Sequence, residues 1–167
     1  MQLKLKLDAV ANIVIIVAGV ALVGHLILIR MQPLAQPTYK TGDILPATAF
    51  DYARSPRTVF LFFSDSCPHC KASIPFYRRI SQTISVGHGG NRLVILVAQA
   101  SDVPGLSSYF RNIGVEFDSV LPIKTVGLRL RGTPTLLLAD AHRRVLGIWS
   151  GRLQERDEAG VLRAVAP

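Results

Sequence analysis

At 167 residues the chain has room for one ordinary domain with its own core, and not for two once an apolar N-terminal stretch is set aside. Apolar residues make up 49% of it, Gly and Pro are near their usual abundance, and no low-complexity tract or solenoid-period repeat occurs, which excludes a disordered or repeat-built chain. The formal net charge is +8; from residue 31 onward 16 Lys and Arg face 10 Asp and Glu, but they are scattered without interleaved aromatic residues, so a solvated surface is expected and nucleic-acid binding is not.

In chain order, residues 1–8 form a short stub carrying Lys4 and Lys6, and Ala9–Ile29 follows with no formally charged residue and only Asn12 and His25 as strongly polar interruptions. A helix crossing the hydrocarbon layer needs about 20 residues, so residues 9–29 read as a single transmembrane anchor. The basic stub favours a cytoplasmic N-terminus and an exported C-terminal domain, although Asp8 and Arg30 reduce the contrast. A cleaved signal peptide fits less well, because the run exceeds a usual signal core and the small-residue site near Ala35 has Pro33 poorly placed. His25 sits near the helix end, where snorkelling accounts for it, and is assigned no function. Residues 30–46, rich in proline and without periodicity, read as a linker, and residues 47–167 as the folded domain.

Within that domain Thr58–Phe63 is a continuous run of aromatic and branched residues, the pattern of a strand buried on both faces. Ile74, Tyr77, Ile80 and Ile84 are spaced three and four apart, which predicts a helix over Ala72–Ile84 beginning near the cysteines. Arg92–Ala98 is a second buried strand, and strand, helix, strand implies a right-handed crossover with parallel pairing. A helix over Val103–Ile113 ending at Gly114, strands at Thr135–Ala139 and Val145–Ser150 pairing as an antiparallel hairpin, and a closing helix over Gln154–Val165 complete an α/β pattern.

Cys67 and Cys70 are the only cysteines, three apart where a strand hands over to a helix. Free N–H groups and partial positive charge at a helix N-terminus stabilise a thiolate, so Cys67 is the expected nucleophile and Cys70, one turn on, the resolving thiol. A purely structural disulfide across so short a loop gains little chain entropy. A Cu(I) carrier using Cys67, Cys70 and His69, with His88 or His142 as a further ligand, is the competing reading from another class; a structural zinc site is disfavoured because no second pair of ligands has matching spacing. A peroxidase of the peroxiredoxin branch is disfavoured because P-x-x-x-T-x-x-C is absent.

Over about residues 40–152 the chain resembles the membrane-anchored thioredoxin-like proteins of the TlpA/ResA type. The likeness rests on Gly42-Asp43-Ile44-Leu45-Pro46, on Cys67-Pro68-His69-Cys70 after a strand, on Pro75 five residues after the second cysteine, and on Arg131-Gly132-Thr133-Pro134-Thr135. It implies a thioredoxin-like fold, a central mixed sheet flanked by helices, with a cis peptide before Pro134 and with Thr133 offering backbone groups to an extended substrate. It further implies thiol–disulfide exchange with exported protein cysteines, a membrane electron-transfer partner, and a place in a bacterial inner membrane with the domain facing the periplasm or cell exterior. No bound cofactor or metal is implied; the Cys67–Cys70 disulfide is itself the redox group. Pro68-His69 resembles the disulfide-forming Dsb oxidants, while the anchored group suggests reduction, so the direction of electron flow stays open. Pro68, His69 and Lys71 are the expected tuners of the thiolate.

Three departures from the thioredoxin pattern stand out. Leu61 occupies the place of a buried acid six residues before the first cysteine, leaving Glu116 or water to handle the proton of Cys70. Ser66 replaces a tryptophan, and Trp149 is expected in core packing. The turn Asp140-Ala141-His142-Arg143 lacks the usual glycine, which predicts only an altered turn type.

Overall fold

The computed structural model describes residues 16–25, 39–87 and 89–166. The chain divides into two units, Met1–Gln36 and Pro37–Pro167. In the first, residues 16–25 are helical and Ile16, Val17, Val20, Leu22 and Val23 are exposed. The rest of the expected span at 9–29, the stub at 1–8 and residues 30–38 of the linker lie outside the described residues, and among the described residues no helix is long and apolar enough to cross a membrane.

The second unit runs β1 (Arg57–Phe62), α1 (Pro68–Ala72), α2 (Ile74–Val86), β2 (Arg92–Val97), α3 (Val103–Asn112), β3 (Ser119–Pro122), α4 (Ile123–Val126), β4 (Thr135–Asp140), β5 (Val145–Ser150) and α5 (Glu155–Val165). The strands form one sheet in the order β3-β2-β1-β4-β5. β1 pairs parallel with β2, from Thr58 opposite Arg92 to Phe62 opposite Leu96, as the crossover pattern requires. β3 adds parallel to β2, whereas β4 runs antiparallel to both β1 and β5, so the sheet is mixed as expected.

Side chains alternate across a strand, and the sheet therefore has a core on each face. Val59, Leu61 and Phe63 join Leu93, Ile95 and Val97 against α2, α3 and α5, through Phe76, Tyr77, Ile80, Phe110, Val161 and Val165. Phe60, Phe62, Val94, Leu96, Leu137 and Ala139 face the other way, onto Leu45, Tyr52, Val126 and Leu128.

Several local features depart from the sequence expectation for identifiable reasons. β3 and α4 carry no periodic signal of their own: β3 is four residues long with only Val120 buried, and α4 is a single turn closed by Gly127 in the left-handed conformation at φ 67°. The described end of the expected linker is bound to the domain. Gly42 N–H donates to the Val145 carbonyl at 2.8 Å, Val145 N–H to that of Asp43 at 2.8 Å and Leu45 N–H to that of Arg143 at 2.8 Å, with Leu45 buried. In the β4–β5 turn the missing glycine is replaced by two devices. Arg143 takes the left-handed conformation at φ 67°, and the Asp140 carboxylate accepts from the N–H groups of His142 (2.9 Å) and Arg144 (2.8 Å). Trp149 on β5 packs against the first core, its ring lying where a Cβ on Gly147 would stand.

Candidate active site

β1 ends where the buried run gives way to Ser64-Asp65-Ser66, and the chain turns into α1 with Cys67 as its N-cap and Pro68 at the first helical position. Proline is well placed there, since its missing N–H has no partner in the first turn. The Cys67 sulfur accepts the Cys70 N–H at 3.4 Å, the bond an N-cap side chain makes, and Cys67 N–H donates to the Ser64 carbonyl at 3.2 Å. Both thiols are free; Cys67 is part-exposed and Cys70 is fully buried in the first core. One sulfur is thus accessible and the other hidden.

From the opposite side comes the loop before β4. Its Thr133-Pro134 peptide is cis, and the Thr133 carbonyl lies 3.2 Å from the Cys67 sulfur, so the thiol donates to it. Pro134 is buried, and its carbonyl accepts the Gly151 N–H at 2.8 Å, tying this loop to the end of β5; the Thr135 hydroxyl donates to the Gly132 carbonyl at 2.8 Å. Two segments far apart in sequence therefore meet at one sulfur.

The two thiols are driven in opposite directions. Burial works against ionisation of Cys67, but the Thr133 side chain and the N–H groups of Cys70 and His69 favour its thiolate and bring it below the ordinary thiol value. The Thr133 carbonyl opposes this by accepting from the protonated sulfur, and the net direction is still downward. Cys70 is pushed up to about 12, chiefly by burial and further by the neighbouring Cys67, against a backbone hydrogen bond at Ser64 that lowers it.

Pro68, His69 and Lys71 are all exposed on α1, and what the structure ties to Cys67 is the His69 backbone amide rather than its imidazole. Glu116 does not reach Cys70: it is exposed and accepts from the Ser85 hydroxyl near the end of α2, some 15 residues beyond Cys70, or roughly 20 Å of helix at 1.5 Å per residue. Leu61 is fully buried in the cluster that holds Cys70, so the position expected to lack an acid contributes only apolar surface. His142 lies in the β4–β5 turn, at the end of β4 away from Thr133, and His88 lies outside the described residues. Among the described residues no group of three or more His, Cys, Asp or Glu side chains is placed to hold a metal ion. Tyr77 and Ser73, buried beside the cysteines, were not singled out from sequence as site residues, since Tyr77 reads there only as one apolar position of a helical stripe.

Three solved structures share this architecture. A DsbE-type thiol:disulfide interchange protein of Chlorobium tepidum superposes with a TM-score of 0.57 at 18% identity, over 77% of this chain and 100% of that one. A thio-disulfide isomerase of Thermus thermophilus gives 0.57 at 17%, over 76% and 97%. A further thioredoxin-family interchange protein of Chlorobium tepidum gives 0.55 at 16%, over 76% and 97%. The fold is thioredoxin-like. No protein-family model matches the chain, and no curated protein sequence matches it. The thioredoxin-like domain carries its dithiol at the N-terminus of α1, against the cis-proline loop.

Proposed function

We propose that this chain is a thiol–disulfide oxidoreductase that exchanges disulfides with cysteines of exported proteins. The observation that supports it most is the Cys67 sulfur at the helix N-cap, held by the Cys70 N–H and facing the Thr133 carbonyl across the cis-proline loop. Three solved proteins of the same fold are named for disulfide interchange or isomerisation, which agrees with the reading.

In the reducing direction the Cys67 thiolate attacks one sulfur of the visiting disulfide, forming a mixed disulfide and releasing the other sulfur as a thiolate. Cys70 then loses its proton and attacks Cys67. The bond from Cys67 to the visitor breaks as the Cys67–Cys70 bond forms, and the visitor leaves with two more electrons, one sulfur as a thiolate and the other holding the proton of Cys70. The oxidising direction is the reverse. Stabilising the Cys67 thiolate favours the dithiol and makes the disulfide the better oxidant, in line with the Pro68-His69 pair. Thr133 presents its backbone to an extended visitor by strand addition, Lys71 adds positive charge at the rim beside the exposed His69, and no bound cofactor is needed. Residues 9–29 anchor the domain to a bacterial inner membrane, facing the periplasm or cell exterior, where a membrane partner returns or removes electrons.

The test is a trap. Cys70→Ser should accumulate a covalent complex with a disulfide-containing polypeptide such as insulin, released by reductant, while Cys67→Ser should form none. Insulin reduction run beside oxidative refolding of a reduced protein gives the direction. Absence of both activities, with Cu(I) bound tightly by the dithiol, would replace this reading with copper carriage.

A further inference from the structure

Resolution requires Cys70 to ionise where the surroundings oppose it. Its thiol is fully buried, and the first core around it is built from Leu61, Phe63, Phe76 and other apolar side chains. Tyr77 brings a phenol hydroxyl into that cluster, and the nearby buried Ser73 hydroxyl already donates to the His69 carbonyl at 2.9 Å. Tyr77 is 1% exposed, and its hydroxyl has no hydrogen-bond partner among the described residues. Only the Ser73 side chain acts on it as a hydrogen-bonding neighbour, so little offsets the bonds to water that this hydroxyl gives up. Tyr52, the other buried hydroxyl without a partner, lies in the core on the opposite face of the sheet, away from both thiols.

Tyr77 is placed to act on Cys70. The two are seven residues apart, two helical turns, and the junction of α1 and α2 at Ser73 keeps the backbone ladder: Ser73 N–H donates to the His69 carbonyl at 3.2 Å and Tyr77 N–H to that of Ser73 at 3.1 Å. They share a face, and long helical side chains lean back toward the helix N-terminus, here over Ser73 toward Cys70. Phe63, the last residue of the buried run before the cysteine loop, meets the Tyr77 ring edge-on at 6.4 Å and 78° and holds it in the core. Burial raises the Tyr77 hydroxyl above the ordinary tyrosine value; Ser73 opposes this, and the charges of Cys70, Cys67 and Glu158 add to it. The phenol therefore keeps its proton.

Resting on the dithiol-exchange reading, we propose that Tyr77 is the hydrogen-bond donor that stabilises the Cys70 thiolate while the mixed disulfide is resolved. Its O–H turns to the sulfur as charge develops and remains covalently whole. The Cys70 proton passes to the departing thiolate, and the sulfur–sulfur bond moves from the visitor to Cys70. The groups acting on this thiolate are Cys67 at the N-cap of α1, Thr133 from the cis-proline loop and the Ser64 backbone from the loop after β1; those acting on Tyr77 are Ser73, both cysteines and Glu158 of α5, which is ion-paired to Arg79 of α2.

The experiment mixes the reduced full chain with an aromatic disulfide that releases one chromophoric thiolate when Cys67 attacks and a second when Cys70 resolves, followed by stopped flow from pH 5 to 10. Tyr77→Phe keeps the ring and removes the donor. It should leave the first release unchanged and slow the second about 10-fold throughout pH 5 to 10, the factor equivalent to one pH unit in the ionisation of Cys70. Tyr77→Met must slow the second release to a similar degree. A second release whose rate and pH profile superimpose on the parent's overturns the role of Tyr77 and leaves dithiol exchange standing. A parent chain that releases no second thiolate overturns both.

Discussion

The division of labour between the thiols predicts a reactivity ratio. Cys70 is pushed up to about 12 while Cys67 lies below 9.0, so the two are more than about three pH units apart. At neutral pH that separation makes the Cys67 thiolate more abundant than that of Cys70 by a factor above about 1,000. A more basic thiolate is the better nucleophile, and with a Brønsted coefficient of about 0.4–0.5 this returns roughly 15- to 30-fold to Cys70. The net preference for Cys67 is then at least about 30-fold, before counting the closed surface over Cys70, which burial adds in the same direction. Brief treatment of the reduced chain with iodoacetamide at pH 7, followed by peptide mass spectrometry, should find Cys67 alkylated essentially to completion before Cys70 reacts. The sign with pH is also fixed: Cys67 reactivity is lost only as the pH falls through a midpoint below the ordinary thiol value, while Cys70 stays silent until strongly alkaline pH. Alkylation of the two at rates within threefold of each other would refute the assignment of burial and hydrogen bonding as the cause.

Two further outcomes probe the support of the site and its independence from the far end of the sheet. Thr133→Val removes a side chain that favours the Cys67 thiolate, so the alkylation midpoint of Cys67 should rise and its rate at pH 7 fall about 3- to 10-fold, the effect of one charge-assisted hydrogen bond at a part-exposed sulfur. Arg92 is buried at the start of β2, donating to the Thr58 hydroxyl at 3.1 Å and the Asp51 carbonyl, 3.8 Å from the Asp118 carboxylate and stacked on the Phe50 ring at 4.5 Å. Arg92→Ala should cost about 2–3 kcal/mol in urea unfolding, because it leaves those partners unpaired, yet leave both thiolate-release phases unchanged in the folded protein.

The order of strand, dithiol, helix and strand was legible from residues alone, because buried parallel strands write themselves as unbroken apolar runs and a helix writes its stripe at Ile74, Tyr77, Ile80 and Ile84. The same local chemistry marks Cys67 and Cys70, whereas Thr133-Pro134 reads by itself as a turn and stands out only through the resemblance to anchored thioredoxin-like proteins. β3 and α4 were illegible, since a short edge strand and a single turn take their shape from what they pack against.

Distances across the chain belong to the tertiary structure. It set Thr133 against Cys67, moved Glu116 out of reach of Cys70 and bound Gly42–Leu45 to the β4–β5 hairpin. It also turned Tyr77 from one apolar position in a stripe into a buried hydroxyl beside a thiol. Sequence states which groups can ionise, donate or pack; burial and neighbours, which decide where their protons rest, exist only once the sheet and helices close around them.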